Sequence, residues 1–200
     1  MQIERFLQNL ASDSPTPGGG SASALAGALS ASLVIMVAGL SRGKGAALDR
    51  EMARIKRETL AIQRRLYRAI EEDARSYDAV IEAFRLPRGK EKDRLYRSKR
   101  IQQAYRKATV TPQRVCELSF RLLELSKILL AKGNPNAFSD TGVAIHLASA
   151  SLEGGILNIR INLTSIRDVS FKKKMEGLMA RLLAKKNRLM LNAQESIEGH

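Results

Sequence analysis

SPTPGGGSASALAGALSASLVIMVAGLS, residues 14–41, contains no charged side chain, although 27% of the whole chain is charged. Two prolines and the consecutive glycines Gly18, Gly19 and Gly20 predict a shaped loop at its start, because neither residue type suits a helix interior. Residues 21–40 then have helical spacing. Large side chains form one stripe (Leu25, Leu29, Leu33, Met36, Leu40) and small ones a second (Gly20, Ala24, Gly27, Ala31, Ala38). The second stripe lets a neighbouring backbone approach closely.

Two alternatives remain for this stretch. An uncharged run of this length is compatible with a membrane span, but four serines dilute its hydrophobicity and no aromatic anchors flank it. We therefore expect no membrane association. The glycine loop before the helix is compatible with either a plain tight turn or an anion site made of unpaired N–H groups.

The composition limits the possible chemistry. With 200 residues and 44% hydrophobic content, we expect one domain spanning residues 1–200. The single cysteine, Cys116, excludes an internal disulfide and a cysteine-based zinc site. Two histidines, His146 and the terminal His200, leave little for a histidine metal centre or a catalytic triad. The expectation is a cytoplasmic protein that uses no metal.

The net charge is strongly positive, at +14. Residues 42–107 hold 20 Lys and Arg against 10 Asp and Glu and supply most of the excess. Nucleic acid, an anionic membrane or an anionic small molecule are possible partners for such a chain. No helix-turn-helix, zinc finger or aromatic-interleaved RNA motif is visible, so charge alone leaves the partner open.

Helical periodicity recurs along nearly the whole chain, and it predicts an all-α antiparallel bundle with long helices. We expect helices over about 2–10, 21–40, 46–84, 91–109, 111–132, 139–163 and 168 onward. Thr111 and Pro112 predict a fresh helix start, with Thr111 as the N-cap and proline at the first helical position.

Three groups of polar residues are candidates for a site. Asp73 lies on the apolar stripe of the long third helix, where it is either a proton-transfer group with a raised pKa or part of an internal ion pair or a helix–helix hydrogen bond. Asn158 and Asn162 share a face of the helix expected over residues 139–163. There they either bind a flat heteroaromatic ligand or bridge helices. The third group is the turn GNPNAFSD, residues 133–140, in which Asp140 either favours the helix dipole or belongs to a site.

Four segments together resemble the cyclodeaminase/cyclohydrolase family. They are PTPGGGSASALAGALSASLVIMVAGLSRGK, EEDARSYDAVIEAFRLP, GNPNAFSD followed by TGVA, and LNIRINL, in that order, and the resemblance covers about residues 3–175. That family includes the cyclodeaminase part of formiminotransferase-cyclodeaminase and stand-alone methenyltetrahydrofolate cyclohydrolases. The resemblance implies a helical subunit that forms a homodimer and binds a tetrahydrofolate derivative, with no cofactor beyond that substrate.

The family's motifs map onto residues of this chain by position. The acidic motif falls on Glu71 and Asp73. Position 71 is Glu in this chain, whereas the family often has Asp there. The glycine loop falls on residues 17–21, the turn on 133–140 and the NxRINL motif on 158–163. The resemblance thus implies catalytic roles for two aspartates, Asp73 and Asp140. The expected substrate-binding residues are Gly18, Gly19, Gly20, Ser21, Lys44, Asn134, Asn136, Asn158 and Asn162, with Lys44 and Arg42 near the glutamate tail.

The resemblance implies one of two reactions. In methenyltetrahydrofolate cyclohydrolase activity, Asp73 would accept a proton from the water that attacks the bridging carbon. In formiminotetrahydrofolate cyclodeaminase activity, the same group would protonate the departing ammonia. We favour the cyclohydrolase, because the chain lacks a formiminotransferase domain. The alternative from another class is a non-catalytic basic helical dimer that binds nucleic acid or other anions.

Overall fold

A computed structural model of the chain describes residues 2–43 and 45–198, with side-chain environments as far as residue 193. The described residues form helices and no strand. The helices are α1 (Ile3–Leu10), α2 (Gly19–Leu40), α3 (Ala46–Arg85), α4 (Glu91–Lys132), α5 (Phe138–Thr164) and α6 (Val169–Glu198), with a short 3₁₀ turn at Pro135–Ala137 before α5.

Sequential helices run antiparallel, as cross-helix contacts at their two ends show. Ser21, near the start of α2, bonds to the Ile70 carbonyl late in α3, whereas Gln63 further back in α3 bonds to Ser32 further along α2. The same reversal relates α3 to α4: Lys132 bonds to Glu51, and Arg97 bonds to the Phe84 carbonyl. The predicted all-α antiparallel bundle is therefore confirmed.

Helix α2 lies between α3 and α5 and also touches α4. Its small-residue stripe is buried, and its serines bond across the helix interfaces. Ser30 donates to the Ala144 carbonyl at 2.7 Å. The Ser151 hydroxyl of α5 donates to the Ser23 carbonyl at 2.7 Å and lies 2.7 Å from the Ser119 hydroxyl of α4. Close packing with short side-chain bonds holds α2 in the bundle.

The length and apolarity of α2 would also suit a membrane span, and it is the one helix of that kind in the described part of the chain. One side of α2 is buried against three helices, and this side contains fully buried residues such as Ala31, Val37 and Ala38. Packing inside a bundle accounts for the absence of charge on that side.

The prediction of a new helix at Pro112 is wrong, because α4 continues without a break from Glu91 to Lys132. A proline inside a helix lacks the N–H that would bond to the carbonyl four residues earlier, here that of Ala108. The Asn162 side chain of α5 replaces it: Nδ2 donates to the Ala108 carbonyl at 3.2 Å. A donor from a neighbouring helix thus satisfies the carbonyl group that Pro112 leaves free.

This compensation predicts that Asn162 and Pro112 are energetically coupled. Asn162→Ala leaves the Ala108 carbonyl without its donor, and we expect it to lower the free energy of unfolding by about 1–3 kcal/mol. In a Pro112→Ala background the backbone N–H at position 112 bonds to that carbonyl, so the same substitution should cost clearly less. Urea denaturation of the four proteins measures the coupling. Equal losses in both backgrounds would contradict the compensation.

Candidate functional site

The glycine loop delivers the chain directly into the N-terminus of α2. The helix begins at Gly19, two residues before the predicted start, with Gly18 as its N-cap. Gly18 has no side chain that can accept a hydrogen bond from the first turn of the helix. The first backbone N–H groups of α2 therefore depend on groups from elsewhere in the fold.

Asp73 of α3 is the group that meets this helix start. Its carboxylate lies so close to Gly20 that a Cβ atom there would overlap it. The Ser21 hydroxyl donates to the Ile70 carbonyl at 2.8 Å and lies 3.4 Å from Asp73 Oδ2. A side chain at position 20 would therefore displace the Asp73 carboxylate, which occupies the space that the glycine leaves free.

Burial raises the pKa of the Asp73 carboxyl above its ordinary value, since the charged form loses hydration. Hydrogen bonds from the hydroxyl and the backbone of Ser21 act in the opposite direction, and the net shift is upward. Asp73 is thus a half-buried carboxyl whose pKa lies closer to neutrality than that of an exposed aspartate. Such a group is suited to accept and return a proton.

The carboxyl lies at the wall of a cavity of about 420 Å³, which we call the Asp73 cavity. Its walls come from the glycine loop, α3, α4 and α5. Its polar lining includes Thr16, Asp73, Ser76, Asn158, Asn162 and Ser165, and its apolar and aromatic lining includes Tyr77, Val80, Phe84, Tyr105 and Ile161. A cavity that combines polar groups with apolar and aromatic surface is typical of a small-molecule site.

The two asparagines face the cavity in different states. Asn158 donates from Nδ2 to the Gly154 carbonyl of its own helix at 2.8 Å, and its Oδ1 accepts no hydrogen bond from the described residues. Asn162 uses Nδ2 to satisfy the Ala108 carbonyl. Of the two, Asn158 has the freer side chain for a ligand, and Asn162 has a structural task that the sequence did not reveal.

Neighbouring acids do not share the position of Asp73. Glu72 forms an ion pair with Arg114 of α4 at 2.7 Å, and Glu71 is exposed outside the cavity lining. Among the described residues, Asp73 is the one carboxylate that lines the cavity. The described residues also include no group of three His, Cys, Asp or Glu side chains able to hold a metal ion.

The GNPNAFSD turn lies far from the Asp73 cavity within one chain. Asn134 Nδ2 donates to the Leu40 carbonyl at 3.1 Å, and its backbone N–H donates to Ser41, so the turn is attached to the C-terminal end of α2. Asn134 Oδ1 accepts from the Asn136 N–H at 3.0 Å. With 22 residues in α2, this end is about 30 Å from Gly19.

Within a single chain the candidate residues therefore fall into two groups at opposite ends of the bundle. Gly18, Gly19, Gly20, Ser21, Asp73, Asn158 and Asn162 come together. Asn134, Asn136 and Asp140 lie at the other end of the bundle, and Lys44 lies outside the described residues. Helix length explains the separation, because Asp140 and Asn158 are 18 residues apart on α5, or about 27 Å at 1.5 Å per residue.

The aromatic wall of the cavity carries no signal of a site in the amino-acid sequence. Tyr77 and Phe84 continue the apolar stripe of α3 and read as core residues, yet they are 40% and 44% exposed. Phe84 packs edge-on against Tyr105 of α4, with ring centroids 6.2 Å apart. Tyr77 and Phe84 lie near the end of a long helix, beyond the reach of the core helix α2. This position distinguishes them from Ile62 and Leu66, which lie on the same stripe but are buried.

Comparisons with known proteins agree on one family. The family model described as formiminotransferase-cyclodeaminase matches residues 2–181. A methenyltetrahydrofolate cyclohydrolase from Methylorubrum extorquens is 36% identical over 89% of this chain and 88% of its own length. The formimidoyltransferase-cyclodeaminase of Mus musculus is 31% identical over 90% of this chain, which spans only 34% of that larger protein.

A solved structure supports the same grouping. The formiminotetrahydrofolate cyclodeaminase of Thermotoga maritima superposes with a TM-score of 0.90 at 27% identity, covering 100% of this chain and 96% of the other. The complete helical arrangement is therefore shared with this enzyme. The chain belongs to the formiminotransferase-cyclodeaminase family.

Proposed function

We propose that the protein is a folate one-carbon enzyme that hydrolyses 5,10-methenyltetrahydrofolate to 10-formyltetrahydrofolate. The observation that carries the proposal is the half-buried Asp73 carboxyl at the N-terminus of α2, in a cavity of suitable size and with a raised pKa. The chain matches 88% of the length of a cyclohydrolase but only 34% of a formimidoyltransferase-cyclodeaminase. This difference in coverage supports the cyclohydrolase reaction over the cyclodeaminase reaction.

The reaction needs one group that removes a proton and then supplies one. The bridging carbon of the substrate lies between two nitrogens and is an electrophilic amidinium. As water adds to it, Asp73 accepts a proton from that water and leaves a neutral carbinol. When the carbinol collapses, its C–N bond to N5 breaks, Asp73 protonates N5 and the carbinol hydroxyl proton is released as the formyl C=O forms.

Other groups of the cavity bind and orient the substrate. The free Oδ1 of Asn158 can accept a hydrogen bond from an N–H of the pterin ring. The backbone at Gly18 and Gly19 can approach the ligand closely because it carries no side chains. Tyr77, Phe84 and Tyr105 exclude water and provide aromatic surface for the flat parts of the substrate.

Formiminotetrahydrofolate cyclodeaminase activity is the second candidate, because the superposed Thermotoga maritima enzyme carries that name. There Asp73 would protonate the amino group that leaves as ammonia while N10 closes the ring. Two assays separate the candidates: loss of methenyltetrahydrofolate absorbance, and ammonia release from 5-formiminotetrahydrofolate.

Asp73→Asn is expected to reduce turnover by about 10²- to 10⁴-fold, since the amide cannot accept and return a proton. The matched control is Asp78→Asn, which removes an exposed carboxylate one turn further along α3 and should keep wild-type turnover. Steady-state hydrolysis of methenyltetrahydrofolate measures both, with circular dichroism to confirm folding. Wild-type turnover in a folded Asp73→Asn protein would overturn the assignment.

The raised pKa of Asp73 also predicts a pH dependence of stability. Its folded-state pKa exceeds the unfolded value, so its favourable contribution is complete below the unfolded pKa and is lost as the pH rises through the folded pKa. Asp73→Asn removes this pH-dependent loss of stability, because the amide does not ionise. The variant should melt higher than wild type at pH 7, with a difference that shrinks toward about pH 4. A difference that grows as the pH falls would contradict the raised pKa.

We also propose that the protein acts in the cytoplasm as a homodimer, through the outward side of α2 and α5. This surface carries exposed apolar residues from both helices, namely Leu29, Met36, Leu40, Val143, Leu157 and Ile161. An apolar surface of this extent favours a protein partner. A two-fold axis perpendicular to α2 makes the two copies of α2 antiparallel. The apolar surface of one copy then packs against the same apolar surface of the other copy.

This arrangement accounts for the divided site. Antiparallel copies of α2 bring the C-terminal end of one helix beside the N-terminal end of the other. The turn with Asn134, Asn136 and Asp140 then approaches the Asp73 cavity of the partner. Ile161 supports this placement, because it is 64% exposed and also lines the cavity.

Mixing two inactive variants tests the dimer and the shared site together. If Asp73 and Asp140 act across the interface, Asp73→Asn and Asp140→Asn proteins unfolded and refolded together should recover about a quarter of wild-type activity, since half the dimers are mixed and each has one intact site. Each variant refolded alone is the control, and sedimentation reports the dimers. Mixed dimers without recovered activity would refute the shared site.

A further inference from the structure

Five arginines form one straight row on the outer side of α3. Successive residues of an α-helix are turned by about 100°, so residues 7, 11 or 18 positions apart point within about 20° of one direction. From residue 50 to residue 75, every position in one such arc of about 40° is an exposed arginine. We call these residues the arginine row, which is about 37 Å long at 1.5 Å per residue. They are Arg50, Arg57, Arg64, Arg68 and Arg75.

The arginine row faces away from the rest of the bundle. Leu66, on the opposite side of α3, is fully buried, and a Cβ atom at Gly27 of α2 would lie 3.2 Å from its side chain. The homodimer proposed above uses the outward side of α2 and α5. It therefore leaves the arginine row accessible in both copies.

The positive charge of the row is uncompensated. In the part of the chain that the structure describes, none of the five arginines forms an ion pair with an aspartate or a glutamate. Arg54, outside the row on the same helix, does pair with Glu58. Arg64 and Arg68 are one helical turn apart, so their like charges repel each other. An anionic partner would relieve this repulsion.

The residue type of the row favours an oxyanion. Helix α3 carries eight arginines and one lysine, although either side chain would keep an exposed surface soluble. A guanidinium group donates two parallel hydrogen bonds that match the oxygens of a phosphate or a carboxylate, whereas an ammonium group acts as a point charge. The use of arginine therefore favours a partner that presents many such oxygens.

Exposed cations of α4 continue the row beyond its end. Arg75 and Lys107 line one groove between α3 and α4. Because α4 runs antiparallel to α3, Arg100 lies further from the row than Lys107, two turns away on the same side of α4. Both α4 residues are exposed, and neither forms an ion pair with the described residues. The cations thus follow a line and do not form a broad patch.

We propose that the arginine row binds the phosphate backbone of double-stranded nucleic acid. This inference is independent of the reaction proposed above. A duplex is a stiff rod with about one negative charge per 1.7 Å of its axis, which a straight row of guanidinium groups complements. No aromatic side chain shares the arc of the row, so unpaired bases have no ring to stack on there. Contacts to phosphates alone carry no sequence information, and we expect binding without sequence preference.

A membrane surface matches the row less well than a duplex. A helix that lies on a membrane inserts its apolar face into the bilayer, but the apolar side of α3 is buried in the bundle, as Ile55 and Ile62 show. Exposed Glu71 and Asp78 lie beside the row. A plane of anionic headgroups would meet these acids, whereas a narrow line of phosphates passes them.

The test measures binding of the full-length protein to fluorescein-labelled duplexes of RNA and of DNA by fluorescence anisotropy at several salt concentrations. For a DNA duplex of about 20 base pairs, five phosphate contacts predict that log Kd rises with log salt with a slope of about 4 to 5. Arg57→Gln/Arg64→Gln/Arg68→Gln should lower this slope by about 2 to 3 and weaken binding by at least about tenfold at about 0.1 M salt. The duplex with the lower Kd identifies RNA or DNA as the preferred ligand.

Lys173→Gln/Arg181→Gln/Arg188→Gln is the matched control, since it removes the same charge from exposed positions of α6. It should keep the wild-type slope, and circular dichroism confirms the folding of both triple variants. No binding of either duplex by wild type, or an equal loss in both triple variants, would overturn the proposal. Tighter binding to phosphatidylserine vesicles or to poly-glutamate, lost in the row variant, would assign the row to a membrane or an acidic protein instead.

Discussion

The side chains of Asp73 in α3 and Ser151 in α5 pack directly against the backbone of α2, and the position of the Asp73 carboxyl in its cavity depends on this close approach. Asp73 occupies the space that a side chain at Gly20 would fill, and Ser23 occupies the corresponding space at Gly154 of α5. A Cβ at Gly27 would lie 2.7 Å from the Ser151 hydroxyl. The glycines of α2 and α5 therefore set the distance between the helices.

The same packing explains why an acidic group can remain half-buried at this place. The start of α2 lacks a capping side chain, so its backbone and Ser21 supply hydrogen bonds to Asp73. These bonds offset part of the cost of desolvation, and the remainder appears as a raised pKa. The contact that completes the helix start therefore also shifts the pKa of the Asp73 carboxyl.

Charge is distributed unevenly over the molecule. Among the described residues, Asp73 is the one carboxylate that lines its cavity, and Arg88, Arg94, Arg97 and Arg167 line the neighbouring cavity beyond Phe84 and Tyr105. The excess of positive charge in residues 42–107, which the sequence alone left without a partner, is in part concentrated at this cavity.

The sequence by itself determined the helical class, most helix boundaries, a loop before α2 that ends at Gly18 rather than at the predicted Gly20, and the placement of Asp73 on an apolar face. These features follow from local periodicity and from the backbone limits of glycine and proline. Only the tertiary structure decided that α4 passes through Pro112, since the donor that permits it comes from Asn162, 50 residues away. Tertiary structure likewise separated Asp140 from Asp73 and gathered arginines from three segments, because helix length and antiparallel packing, rather than order along the chain, decide which side chains meet.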